Sequence, residues 1–186
     1  MNVDEQVTVS PVNAQRIARI GDRVCATFLD TFVIFPIFWL VIAAVGLANG
    51  VYKDGNADMT GGPALLAILL IGACWIGFFV LTEYFFAGSP GKRLMGIEVV
   101  SQHGGRITLS QAFMRNLLRA IDVVGFYLLG FVVAMRSKQR QRIGDSVGKT
   151  LVVEKPDPRT GIALFIWLAS IIAANGAAFL FLQTAR

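Results

Sequence analysis

At 186 residues, with 55% hydrophobic and 16% charged side chains, the chain has the length of one domain and is too apolar for an ordinary soluble fold. A net charge of +5 would point to nucleic acid in a soluble protein. In a membrane chain, basic loops instead set orientation and attract anionic headgroups, so the lipid bilayer is the expected partner and nucleic acid is set aside.

Residues 1–23 read as a cytoplasmic, amphipathic entry segment carrying Arg16, Arg19 and Arg23. The first apolar run, "VCATFLDTFVIFPIFWLVIAAVGLA" at 24–48, holds one charge, Asp30. At about 1.5 Å per residue it is long enough for a hydrocarbon layer of about 30 Å. It is too long for the h-region of a secretory signal, about 7–15 residues. Asp30 lies two helical turns beyond Arg23 on the same face, so the two are expected to interact. Pro36 predicts a kink.

A second run, "ALLAILLIGACWIGFFVLTEYFFA" at 64–87, also carries one charge, Glu83, near its inner end and thus in the same leaflet as Asp30. Ala73-xxx-Gly77 is a small-residue stripe suited to close helix packing. Cys25 and Cys74 both lie in apolar runs, with neither a disulfide framework nor metal-ligand spacing between them. No metal or cofactor is expected.

The next segment, "GIEVVSQHGGRITLS", alternates about a Gly-Gly turn and predicts a β-hairpin over about 94–109. His103 beside that turn reads as a solvated histidine. "KTLVVEK" is a short strand that could pair with the hairpin, which requires both on one side of the membrane. Between them, 111–135 contains "LLRAIDVVGFYLLGFVVAM", an apolar stretch interrupted by Arg119, Asp122, Gly125 and Gly130.

If this stretch fully crossed, Lys and Arg would divide nine against eight; if it dips in and returns, they divide fifteen against two. The excess of basic residues in cytoplasmic loops favours a re-entrant or interfacial hairpin, hinged near Gly125. "GDSVGKT" at 144–150 ends like a nucleotide-binding loop but has only three residues between its glycines where four are needed. Residues 155–186 form a linker, "KPDPRTG", and a third uncharged run from Ile162 to Leu182 with an Ala169-xxx-Ala173-xxx-Ala177 stripe.

The fold expected is an all-α membrane protein: a small transmembrane helical bundle of three full spans plus a re-entrant or fourth helix, with a small cytoplasmic β element. Ionisable residues inside a bilayer need a partner, a watery cavity or a task. The candidate cluster is Arg23, Asp30, Glu83, Arg119 and Asp122, serving either as an architectural ion-pair network or as a proton or cation path. No nucleophile–base pair or phosphate loop points to an enzyme.

In order, "RVCATFLD", "GSPGKRLMGIEVVSQHGGRITLSQAFMRNLLRAID" and "RIGDSVGKTLVV" resemble the RDD family of membrane proteins over about residues 14–154. The resemblance implies that Arg23 is the family arginine, Asp30 the first aspartate and Asp145 the second. Gly144 stands where many members carry histidine, and the last span comes after the motif. Some members are associated with cation/proton exchange or solute transport; others resemble accessory subunits of membrane complexes. The expectation for this chain is proton-coupled or cation transport in a bacterial inner membrane, as an oligomer, with a cytoplasmic N-terminus and Asp30 titrating. The alternative is a non-transporting scaffold or assembly subunit.

Overall fold

The computed structural model describes residues 16–53, 56–57, 59–124, 133–137 and 139–155, together with 165, 167–173, 175–176 and 180. For 52–53, 56–57 and 120–124 it describes the backbone alone. Two long apolar helices dominate, α1 (Ile20–Ala48, 29 residues) and α2 (Gly61–Phe86, 26 residues), each long enough to cross a membrane. Most of their large apolar side chains point outward, among them Phe28, Phe32, Phe35 and Trp39 on α1 and Leu65, Ile68 and Leu69 on α2. Such a continuous apolar exterior is what lipid covers. The inward stripe of α1 is Arg23, Ala26, Asp30 and Val33, at helical spacing. The helix runs on through Pro36.

The two helices are joined by a minimal ladder, β1 (Tyr52–Lys53) with β2 (Asn56–Ala57). After α2 the chain turns through Ala87, whose φ of 56° is left-handed, and enters the short helix α3 (Pro90–Leu94). Ser89 precedes α3 and Pro90 opens it, a position where proline's missing N–H costs nothing. Next comes β3 (Ile97–Ser101), tied to the end of α2 by Val99 N–H to Ala87 O at 2.7 Å.

The predicted hairpin is corrected at its second arm. The Gly-Gly turn forms, with Gly104 and Gly105 at φ of 92° and 77°, but residues 106–109 make no strand. There Thr108 and Gln111 exchange hydrogen bonds of 3.0 and 3.2 Å that start the helix α4 (Leu109–Val124). The partner of β3 is β4 (Thr150–Glu154), antiparallel, with Val99 opposite Val152. The segment before α1 adds a third edge, Ala18 N–H to Val152 O at 3.0 Å and Glu154 N–H to Arg16 O at 2.8 Å. Ile97, Val99 and Val152 pack with Ala18, Ala26, Val80, Ile107 and Ala112. This core fastens the sheet to α1, α2 and α4.

α4 is inside out for a helix on a soluble domain. Its polar residues Arg115, Asn116 and Arg119 are buried, while Leu109, Phe113 and Leu117, four residues apart, are exposed. An apolar outer face beside two membrane-length helices suits a helix lying at the interface. The short helix α5 (Ile143–Val147) packs on α4 where Gly144 meets the backbone of Arg115. The described residues at 165–180 are helical, and the Trp167 indole donates to Leu29 O at 3.1 Å. The expected hinge at Gly125 and the linker at 156–161 lie outside the described residues. No described atom lies within 4 Å of a Cβ placed on Gly77, so the stripe at 73–77 is not packed within the described chain.

Candidate functional site

The N-terminal part of α1 and the C-terminal part of α2 converge with α3, α4 and α5 around three buried carboxylates. Asp30, 1% exposed, receives the Ser89 hydroxyl at 2.5 Å and the Gly91 backbone N–H at 2.7 Å. It therefore caps the start of α3, where free backbone donors favour a negative charge. Gly91 is required for this approach, since a Cβ there would collide with the Ala26 carbonyl oxygen and lie 2.9 Å from Asp30 Oδ1.

Glu83, fully buried, is the most heavily partnered. Lys92 Nζ binds its Oε1, Arg119 Nη2 lies 3.5 Å from the same oxygen, and Arg115 Nε lies 3.2 Å from Oε2. Asn116 donates to Oε2 at 2.7 Å. Arg119 also stacks on the Phe79 ring at 4.1 Å from its centroid, an attraction between cation and ring quadrupole.

Asp145 joins α5 to the rest. Arg23 Nη1 reaches its Oδ2 at 3.0 Å, Arg115 Nη2 its Oδ1 at 3.0 Å, and the Arg142 backbone N–H caps it at 3.2 Å. Burial alone would raise its pKa; the guanidiniums of Arg115 and Arg23 overcome this and hold it at about 2. Burial brings the Lys92 ammonium down to about 7, with the Glu83 carboxylate opposing and Arg115 and Arg119 assisting.

Arg115 is the hinge of the arrangement, because its guanidinium bridges Glu83 on α2 and Asp145 on α5. Arg23 also donates to Arg140 O at 2.7 Å. Five of the residues named from the sequence, Arg23, Asp30, Glu83, Arg119 and Asp145, thus share one buried region. The expected pairing within it is corrected. Arg23 does not pair with Asp30, because its side chain extends toward α5 and β4 while Asp30 turns to α3. The side chain of Asp122 lies outside the described residues.

Ser89, Gly91, Lys92, Arg115 and Asn116 were not named from the sequence as members of the site. The signal for Arg115, Asn116 and Arg119 was present in their spacing, a polar stripe opposite Phe113 and Leu117. Among the described residues no three His, Cys, Asp or Glu side chains converge to hold a metal. What the arrangement does chemically is hold five elements together by charge in a low-dielectric setting, with every carboxylate oxygen engaged.

A model of the RDD family matches residues 17–149, so the chain belongs to the RDD family of membrane proteins. The chain is also similar to the uncharacterized protein YxaI of Bacillus subtilis (strain 168), 28% identical over 93 residues, which are 50% of this chain and 59% of that protein. No solved structure matches the chain.

Proposed function

We propose that this RDD-family membrane protein is a non-transporting scaffold or accessory subunit, whose buried charges lock an interfacial module of α3, β3, α4, α5 and β4 onto its membrane helices. One observation carries this reading: Asp30, Glu83 and Asp145 each have two or more protein donors, leaving none open to load and release a cation. Replacing such contacts during a transport cycle would expose buried charge at a cost of several kcal/mol per ion.

The membrane arrangement proposed rests on the sheet. The pairing of β3 with β4 supports a stretch between them that returns to the side it left, as the re-entrant or interfacial reading of 111–135 requires. With α1, α2 and the C-terminal run crossing, the N-terminus and the basic module face the cytoplasm of a bacterium across its inner membrane. The exposed apolar helix faces suit lipid and the helices of a membrane-complex partner.

Proton-coupled or cation transport through Asp30 is the second reading, favoured by the burial of Asp30 and Glu83 on the two membrane-length helices. Proteoliposomes separate the two. The scaffold reading predicts that a pH gradient collapses at the protein-free rate whichever alkali cation is added. Cation-driven collapse by the wild type that Asp30→Asn abolishes, with both proteins equally inserted, would establish transport instead.

A further inference from the structure

Between α1, α3, α4 and α5 a narrow, partly open crevice lies at the level where α1 begins, with a cavity volume of about 20 Å³. Arg23, Thr27, Lys92, Arg115, Arg119 and Arg142 line it. Four of these six are guanidiniums and a fifth is the Lys92 amine. The carboxylates facing them are Asp145 in the wall, Glu83 in contact with Lys92, Arg115 and Arg119, and Asp30 beside Lys92. Positive charge is thus in excess in a place where it is poorly solvated.

A second, independent observation points the same way. Arg23 is 4% exposed and Arg119 6%, yet Arg23 Nε and Arg119 Nη1 have no hydrogen-bond partner among the described residues. Buried N–H groups are seldom left unpaired, and an orphan on a charged group calls for an acceptor. Two orphan guanidinium donors on one basic crevice call for an acceptor that is also an anion. A cation would meet repulsion there.

We infer that the crevice is a binding site for a phosphate-type oxyanion, held between Arg23 and Arg119 with the charge of Lys92, Arg115 and Arg142 around it. Tetrahedral oxygens offer acceptors in several directions, which planar guanidinium groups match well. The mouth lies beside the first turns of the membrane-length helix α1, so the phosphate can come from an anionic lipid headgroup or from a soluble phosphate compound. The inference rests on this crevice alone and stands whether or not the protein is a scaffold.

The test uses the full chain in neutral detergent, tracking its unfolding temperature at constant ionic strength. Inorganic phosphate, chloride, short-chain phosphatidylglycerol and phosphatidylcholine of equal chain length are titrated separately. A saturable rise with phosphate or phosphatidylglycerol, and none with chloride or phosphatidylcholine, is expected. Half-saturation by phosphatidylglycerol at a tenfold or more lower concentration than phosphate assigns the site to a headgroup; the reverse, or parity, assigns it to soluble phosphate.

Two variants report on location. Thr27→Met fills the crevice without removing charge, and Arg142→Gln removes a charge from its rim. Each is expected to raise the half-saturating concentration at least tenfold while keeping wild-type helical circular dichroism and a monodisperse elution. No saturable rise with either phosphate source, or a rise that folded Thr27→Met and folded Arg142→Gln leave unchanged, would overturn the assignment.

Discussion

Replacing Gly91 by alanine should be among the most damaging single-methyl changes in the protein. The added Cβ would collide with the carbonyl oxygen of Ala26 and lie 2.9 Å from Asp30 Oδ1 and 3.0 Å from its carboxyl carbon. The obstacle on α1 is backbone, so α3 must retreat. Retreat lengthens the Gly91 N–H bond to Asp30, now 2.7 Å, and the Ser89 hydroxyl bond, now 2.5 Å. Overpacking costs about 1–3 kcal/mol, and weakening hydrogen bonds to a buried carboxylate adds about 1.5–3 kcal/mol.

A loss of about 3 kcal/mol is expected after partial relaxation, out of a total stability of about 5–15 kcal/mol. For a chain of this length that lowers the unfolding temperature by about 6–12 °C. Gly77→Ala is the control, because a Cβ there meets no described atom within 4 Å. In mid-helix it should be neutral or stabilising by about 0.5–1 kcal/mol. Both variants would be compared by thermal unfolding in one detergent. If Gly91→Ala unfolds within 2 °C of Gly77→Ala, α3 is not docked on Asp30 as described.

The same network sets other outcomes. Asn116→Ala removes the 2.7 Å donor to Glu83 and should cost about 1.5–3 kcal/mol by chemical denaturation; a cost under 0.5 kcal/mol would mean that the bond is absent. Asp145 is held at about 2, below its ordinary 3.8, so it contributes stability above about pH 4 that fades as pH falls toward 2. Asp145→Asn should lose that acid slope. Lys92 lies near 7, below its ordinary 10.5, so the unfolded chain binds the extra proton between those values and stability should climb as pH rises from 7. Lys92→Met should lack the climb in pH-dependent unfolding. Spin labels at Phe113 and Leu117 should be relaxed more by oxygen than by a water-soluble nickel complex; the opposite order would remove α4 from the membrane interface.

The two long helices were legible because charge is nearly absent from 24–48 and 64–87, and length and hydropathy act locally. The same isolation made Asp30 and Glu83 stand out, since a lone carboxylate in an apolar run has few bland explanations. Partners were not legible. Arg23 and Asp30 share a helix face, and spacing suggested a pair, but Arg23 meets Asp145 from 122 positions away. Only tertiary structure brings α5 to α1.

"GSPGK" reads as a turn in isolation. Its serine hydroxyl, tight glycine and lysine gain their roles only when α1 and α2 stand beside it. In α4, Arg119 looked like an interruption of a membrane segment. Its four-residue spacing from Arg115 instead marks the binding face, because the helix turns its polar stripe to the cluster and its apolar stripe outward. The hairpin was overextended because Gly-Gly signals a turn without fixing the type of the next element. Thr108 and Gln111 already carried a helix-start signal.

The central claim is that Arg23 and Asp145 form a buried tie between α1 and α5 that serves architecture. A double-mutant cycle of Arg23→Met and Asp145→Leu, read as unfolding free energy in one detergent, tests it most directly. Asp145→Leu leaves the buried Arg23 without its carboxylate and should cost about 3–5 kcal/mol, whereas Arg23→Met leaves Asp145 its Arg115 partner and should cost less. The double variant, with the stranded Arg23 charge also gone, should be more stable than Asp145→Leu alone. Additive losses, with the double variant the least stable of the three, would contradict the tie.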